Sequence, residues 1–98
     1  CSMIPHIPVN FKHKIPKLYE QQHSNTDIVY ATYYIHGSDW KWYIFESSKM
    51  QNLFYGYLEP ESIYQYFTIE QLQQIIYEYD LDIELDDSFE PKPLKELL

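Results

Sequence analysis

The stretch from Tyr66 to Leu85, YFTIEQLQQIIYEYDLDIEL, constrains the fold most, because its hydrophobic period changes once along its length. Up to Tyr79, apolar residues recur at spacings of three and four, which is typical of an amphipathic helix. From Asp80 onward, acidic and apolar residues alternate strictly, which is typical of a half-buried strand. The stretch therefore predicts a helix followed by a return strand. The residues predicted to face the core from that strand are Leu81, Ile83 and Leu85.

Local signals place the start of the helix at Thr68. Its hydroxyl can accept a hydrogen bond from a backbone N–H of the first turn, and the Gln71 side chain can reach back to the Thr68 N–H. Phe67 and Leu72 are spaced to close over this cap as a hydrophobic staple. Glu70, in the first turn, is favourably placed against the positive end of the helix dipole. Together these residues predict a capped helix.

Segments rich in β-branched and aromatic residues precede the helix and predict strands. They span residues 28–35, 40–46 and 53–58, with a shorter segment at 63–67. Gly37 lies in the turn between the first two, and Gly56, inside the third, indicates a bulge or a close approach of another backbone. The predicted fold class is α+β, an antiparallel meander of three to five strands with one main helix packed on one face.

Residues 1–27 are predicted to form an irregular N-terminal arm, because Pro5, Pro8 and Pro16 interrupt regular structure. Residues 28–98 form the predicted single α+β domain. Cys1 and Ser2 are interpreted as an addition ahead of a native start at Met3.

Two interpretations of the arm stay open. It packs over the domain through its apolar residues, or its lysines form a basic tether for an acidic partner or a phosphate backbone. The apolar residues are Ile15, Leu18 and Tyr19, and the lysines are Lys12, Lys14 and Lys17.

Composition argues against several classes of protein. The net charge is −8, from 15 acidic and 7 basic residues, and every basic residue is a lysine. Without arginine, a specific reader of duplex DNA is disfavoured. The single cysteine excludes an intrachain disulfide, and neither a signal peptide nor an apolar stretch of membrane-spanning length is present, so we expect a cytoplasmic protein.

Catalytic motifs are missing from the sequence. The two glycines do not form a phosphate-binding loop, and the four histidines match no zinc spacing. Cys1, the single cysteine, stands at the end of the chain, and the serines form no nucleophile elbow. The sequence therefore predicts a non-enzymatic protein that needs no metal or cofactor.

A run of carboxylates is the strongest electrostatic feature. Its alternating members are Asp80, Asp82, Glu84 and Asp86. A solvated strand face that discourages edge-to-edge aggregation is one interpretation. The others are a docking strip for a basic protein surface, a mimic of DNA phosphates, or a divalent metal site.

Aromatic residues make up 18% of the chain, which is high enough to suggest that some of them line a surface. We predict an exposed sheet face that anchors a protein partner through Trp40, Trp42, Tyr55 and Tyr57. Core and cross-strand packing, or stacking on single-stranded bases, are the alternatives.

Five short motifs follow one another along residues 15–97. They are Leu18-Tyr19, Trp42-Tyr43 with Glu46, Phe54 with Gly56, Tyr66-Phe67 with Leu72, and Ile83-Glu84 with Asp86, Phe89 and Pro91. In order and spacing they resemble a small bacterial domain-of-unknown-function family, number twenty-nine fifty-eight. The chain departs from the family at Gln65, where members tend to have glycine, and at Leu85, where an arginine is usual.

The resemblance implies a genetic context and no activity. Genes of this family lie on plasmids, phages and other mobile elements, often near replication or maintenance genes. By that association we expect an acidic accessory protein that binds a protein partner in DNA replication or maintenance of a mobile genetic element. The alternatives are an acidic DNA-mimic inhibitor of a nucleic-acid enzyme, and a single-stranded nucleic-acid binder that uses the aromatic face and the lysine arm.

Overall fold

The fold consists of a five-stranded sheet with a helix on one face, and of a second, two-stranded sheet. The computed structural model describes residues 3–8, 11, 13–22, 27–86 and 88–98. Its elements are β1 (Ile28–Val29), β2 (Ala31–Tyr34), β3 (Lys41–Ser47), β4 (Leu53–Glu59), β5 (Ile63–Thr68), α1 (Ile69–Tyr79), β6 (Glu84–Leu85), β7 (Lys92–Pro93) and a 3-10 turn (Leu94–Glu96). The predicted α+β class is confirmed, because a five-stranded antiparallel sheet carries one main helix.

The five-stranded sheet has the strand order β5-β4-β3-β2-β6. Strands β2 to β5 form consecutive antiparallel hairpins, which is the predicted meander. The return strand is shorter than predicted: only Glu84 and Leu85 pair, with Tyr34 and Tyr33. Asp80 ends the helix in the left-handed conformation, at φ 50°, so the chain must turn before it can reach the sheet edge.

The N-terminus of α1 has the predicted capping box. The Thr68 hydroxyl accepts from the Gln71 N–H at 3.1 Å, and the Gln71 side-chain oxygen accepts from the Thr68 N–H at 2.8 Å. Ile69, Leu72 and Ile76 bury the helix stripe against the sheet. The cap satisfies two backbone donors that a helix start otherwise leaves without partners.

The N-terminal arm belongs to the same core as the sheet. Ile4, Ile7 and Ile15 are buried in the cluster that α1 covers, and the Tyr33 hydroxyl donates to the Pro5 carbonyl at 2.7 Å. The predicted boundary at residue 27 therefore does not separate two cores. Of the predicted arm anchors, Ile15 is buried and Leu18 half-buried, whereas Tyr19 is 63% exposed.

The sheet face opposite α1 has its own, smaller core. Its buried members are Val29, Tyr43, Phe45, Tyr57 and Leu94. The C-terminal segment covers this face, since β7 pairs with β1 and Leu94 packs into the cluster. The cover leaves part of β5 open: Tyr64 and Tyr66 are 51% and 47% exposed.

Gly56 lies where two strands approach closely. A Cβ atom at this position would overlap the carbonyl oxygen of Tyr43 and lie 3.1 Å from the Phe67 ring. The β3–β4 register also shifts between Ile44 and Glu46, which is a bulge in β3 opposite Gly56. Of the two alternatives that the sequence left open at Gly56, the structure shows the close approach of another backbone, whereas the bulge lies in the neighbouring strand β3.

Candidate functional site

The four predicted aromatic anchors lie on opposite faces of the sheet. Trp40 and Trp42 lie on the α1 face, where Trp42 is only 2% exposed. Tyr55 and Tyr57 lie on the other face, because Tyr57 pairs with Tyr43 and successive strand residues alternate sides. The prediction of one exposed face containing all four residues is therefore wrong.

The two tryptophans instead line a groove between the second half of α1 and the β2–β3 hairpin. The groove has a volume of about 550 Å³, and we call it the Trp groove. Its apolar lining residues are Ile35, Trp40, Trp42, Ile75, Tyr79 and Leu81. The indole rings of Trp40 and Trp42 lie 6.2 Å apart, centroid to centroid, and are tilted by 32°.

The hairpin turn fixes the position of Trp40 at the rim of the Trp groove. The Ser38 hydroxyl donates to the Ile35 carbonyl at 2.8 Å and accepts from the Trp40 N–H at 3.1 Å. Gly37 has a φ of 77°, a conformation that glycine adopts without steric cost. The rim is therefore held by the turn and does not depend on a bound partner for its shape.

The predicted acidic residues do not form a row on one strand. Asp80 caps the helix, Asp82 precedes β6, and only Glu84 lies in the strand. Asp86 is half-buried, and its carboxylate accepts from the Ser88 N–H and hydroxyl at 3.0 and 2.9 Å. The prediction of four carboxylates alternating along one strand is therefore wrong, because Asp80 and Asp82 lie in the helix cap and in the turn before β6.

A different carboxylate, on the last turn of α1, borders the Trp groove. Glu78 lines it, and Asp80 follows at the end of the helix. The last turn of α1, all of which is described, holds no basic residue. Because a helix C-terminus already carries partial negative charge, these carboxylates make the end of the groove strongly negative. A cationic group in a partner would relieve that repulsion.

The basic arm lies at another part of the surface. Lys12 falls outside the described residues, and Lys14 and Lys17 are exposed. Both border a cavity of about 520 Å³ together with Lys49, a proximity that the sequence spacing does not reveal. Lys17 is held there by a parallel bridge to Ser47.

On the open part of the other sheet face, the β3 bulge redirects a carboxylate. Phe45 is the extra residue, and Glu46 rather than Phe45 pairs with Tyr55. Glu46 therefore lies on the Tyr55 side of the sheet, where regular alternation from Ile44 would have placed it toward α1. Its side chain is 4% exposed.

Backbone amides surround the Glu46 carboxylate. Its two oxygens accept from the N–H groups of Tyr19 and Gln21, each at 2.8 Å. The Gln21 side chain braces this turn, because its amide donates to the carbonyls of Ile28 and Phe45 and accepts from the Ile28 N–H. Tyr19 has a φ of 73°, so the turn is set to aim both amides at the carboxylate.

Tyrosines close around this carboxylate and form what we call the tyrosine pocket. It has a volume of about 380 Å³, and its lining includes Tyr19, Asp27, Phe45, Glu46, Tyr55 and Tyr66. The rings of Tyr55 and Tyr66 lie 4.8 Å apart, centroid to centroid. Beside them, the Tyr64 ring lies 6.4 Å from the Tyr55 ring, centroid to centroid.

The local charge and burial perturb these phenols. Burial raises the pKa of Tyr55, and the negative charges of Asp27 and Glu46 raise it further. Burial and then Asp27 likewise raise the pKa of Tyr64. Sequence reasoning did not single out this pocket. The available signal was Glu46 itself, a carboxylate at the end of an otherwise aromatic and apolar strand segment.

Neither a metal centre nor a membrane span emerges from the described part of the chain. Within it, no three histidine, cysteine, aspartate or glutamate side chains are grouped to hold a metal ion. No helix among the same residues is both long and apolar enough to cross a bilayer.

Comparisons with known proteins give no relative: no protein-family model, curated protein or solved structure matches the chain. The family resemblance drawn from its motifs stays a prediction.

Proposed function

We propose that this chain is a non-enzymatic binding protein that takes a basic amphipathic segment of a protein partner into the Trp groove. The observation that carries this proposal is an apolar groove, open to solvent, that ends at a negatively charged helix terminus. The apolar groove and the negative helix terminus together favour a partner segment that is apolar on one side and cationic at one end.

The apolar side of the argument rests on aromatic anchors. Trp40 is half-buried, and Tyr79, at the rim, is 66% exposed. Trp and Tyr side chains of this kind dominate binding energy when a partner removes them from water. A groove of about 550 Å³ accommodates a few apolar side chains from one face of a helix.

The context of the partner rests on the motif resemblance alone. That resemblance supports a partner from the DNA replication or maintenance machinery of a mobile genetic element. The net charge of −8 opposes direct binding to duplex DNA. A DNA mimic is less well supported than the groove, because the carboxylates are divided between the end of α1, the following turn and β6.

The intrinsic fluorescence of the protein tests the groove directly. The chain has two tryptophans, and both line the Trp groove, so tryptophan emission reports on its occupancy. The probe is a lysine–leucine peptide with an amphipathic helical pattern. Its controls are a scrambled peptide of equal composition and a peptide with glutamate in place of lysine. We expect an emission shift that saturates with the amphipathic basic peptide and none with the other two.

A pair of variants on α1 locates the contact. Tyr79→Ala removes a lining residue of the Trp groove, whereas Tyr77→Ala removes a comparably exposed tyrosine that does not line it. We expect Tyr79→Ala to weaken binding of the basic peptide about tenfold and Tyr77→Ala to leave it unchanged. Equal binding of the scrambled peptide, or equal loss in both variants, would overturn the proposal.

Photo-crosslinking from positions 79 and 77 then identifies the cellular partner. A photo-crosslinking residue is placed at position 79 or at position 77, and crosslinked proteins from host cells are identified by mass spectrometry. A DNA-handling protein captured from position 79 and not from position 77 would support the proposed context. Binding of a labelled single-stranded oligonucleotide to the isolated protein would instead favour the nucleic-acid alternative.

A further inference from the structure

We propose that the tyrosine pocket binds an organic cation, a guanidinium or alkylammonium group such as those of an arginine side chain or a polyamine. This site is separate from the Trp groove, because its strand residues Glu46, Tyr55 and Tyr66 lie on the sheet face opposite α1. The inference stands whether or not the groove binds a partner.

The walls of the pocket suit a cation. Tyr55 and Tyr66 pack against each other, with centroids 4.8 Å apart and planes at 44°, and together form one aromatic wall of the pocket. The rings of Phe45 and Tyr55 lie 5.8 Å apart, centroid to centroid, and Tyr19 also lines the pocket. The faces of such rings carry partial negative charge and attract guanidinium and ammonium groups.

The negative charge inside the pocket comes from Glu46 and Asp27. Glu46 is 4% exposed and is held by two backbone N–H groups. Asp27 also lines the pocket. In the described part of the chain, neither carboxylate is paired with a lysine or histidine, and no lysine is among the residues that line the pocket. A cationic guest would offset two carboxylates that are partly removed from water.

The pocket is assembled before any guest arrives. Gln21 fixes the turn that carries Tyr19, because its side chain is hydrogen-bonded to the backbone of Ile28 and Phe45. Side chains that are already ordered lose little entropy on binding, which favours affinity for a small guest. The same features disfavour stacked nucleotides, because base-stacking platforms lie in positively charged grooves and this pocket is negative.

The test is a titration of the whole chain, labelled with nitrogen-15, with N-acetyl-arginine amide. Its uncharged isostere, N-acetyl-citrulline amide, serves as the matched control. The backbone N–H groups of Tyr19 and Gln21 and the Gln21 side-chain amide report directly from the pocket. We expect saturable shifts of these signals with the arginine compound, and at least about tenfold weaker binding of the citrulline compound.

Two variants and one control complete the design. Tyr66→Leu removes a wall and Asp27→Asn removes a charge, and both residues lie outside the buried core. We expect each to weaken arginine-amide binding about threefold to thirtyfold, whereas Tyr77→Leu, on α1, leaves it unchanged. Spermidine in place of the arginine compound decides the source of the cation: tighter binding of spermidine indicates a free polyamine, and weaker binding indicates a peptide side chain. Equal binding of the arginine and citrulline compounds, or no shift of the Tyr19 and Gln21 signals, would overturn the proposal.

Discussion

Glu46 carries a carboxylate that is almost fully buried, and backbone amides rather than a cation hold it. Burial of a charge without compensating hydrogen bonds is costly. Two charge-assisted bonds from the Tyr19 and Gln21 amides supply that compensation and tie the N-terminal arm to β3. One residue thus links the path of the arm to the negative potential of the tyrosine pocket. No period or motif in the sequence specifies this role, because it depends on the β3 bulge and on a turn 25 residues away.

The close approach of β3 and β4 beside the bulge leads to a prediction at Gly56. We expect Gly56→Ala to lower the free energy of unfolding by about 3 kcal/mol, because the new methyl group meets the backbone oxygen of Tyr43, which a sheet cannot move without breaking pairs. Gly37→Ala is the control. Its Cβ would meet no atom within 4 Å, so the free energy of unfolding should fall only by the cost of the positive φ, about 1–2 kcal/mol. Urea unfolding measures both. Equal losses in the two variants would show that the close approach at Gly56 does not restrict this strand pair.

Among the elements, α1 is the one whose sequence signals were most complete. Thr68, Gln71 and the apolar stripe all lie within one local segment, so the start of the helix could be predicted without knowing the fold. The return strand shows the limit of that reasoning. Alternation correctly placed Ile83 toward the core, but it could not show that Asp80 would serve as the helix cap and leave only Glu84 and Leu85 to pair.

The prediction of one aromatic sheet face was wrong for a related reason. Alternation separates odd from even positions within one strand, but it does not fix which positions of two strands share a face. That depends on register, and the register of β3 with β4 places Trp42 and Tyr57 on opposite sides. The Trp groove also needs Ile75 and Leu81 from elements distant in the chain, so no single motif could have identified it.

The end of α1 yields a prediction that links stability to binding. Asp80→Asn removes a negative charge from the negative end of the helix dipole, and asparagine tolerates the left-handed conformation of this residue. We expect the variant to be more stable by about 0.3–1 kcal/mol and to bind the basic amphipathic peptide about twofold to fivefold more weakly. Urea unfolding and tryptophan fluorescence give the two readouts.

The first turn of the same helix provides the control of opposite sign. Glu70→Gln removes a charge from the favourable end of the dipole. It should therefore lower stability by a similar amount while leaving peptide binding intact, since Glu70 does not line the Trp groove. An Asp80→Asn protein that is less stable than the parent would contradict this account of the helix end.

At the scale of the whole molecule, one sheet separates two environments. The α1 face is closed by the helix and by Ile4, Ile7 and Ile15 of the arm, whereas the other face is closed only in part by the C-terminal segment. Both covers come from irregular chain that sequence patterns describe poorly, because three isolated isoleucines form no period. The open remainder of the second face is where the exposed tyrosines and the buried carboxylate meet.

Phenol burial on both faces gives the whole molecule a characteristic response to alkali. Burial raises the pKa of Tyr33, Tyr43, Tyr55 and Tyr64, and a hydrogen bond to Tyr19, followed by burial, raises that of Tyr66. A raised pKa in the folded state means that the unfolded chain loses its protons first as the pH increases. Stability from these groups is therefore fully present below pH 10 and is lost progressively above it.

Tyr33→Phe isolates the largest single contribution to that loss. Tyr33 is fully buried, so above pH 10 it ionises in the unfolded state and not in the folded state. This difference lowers the free energy of unfolding by about 1.4 kcal/mol for each pH unit above 10. At pH 8 the variant should be less stable than the parent by about 1 kcal/mol, because the hydrogen bond to the Pro5 carbonyl is lost. Above pH 10 its stability should decline less steeply, so that the two curves converge and then cross. Urea midpoints between pH 8 and 11.5, with tyrosinate absorbance followed in parallel, measure this crossing. A difference between parent and variant that stays constant across the range would mean that Tyr33 ionises as readily in the folded protein as in the unfolded chain.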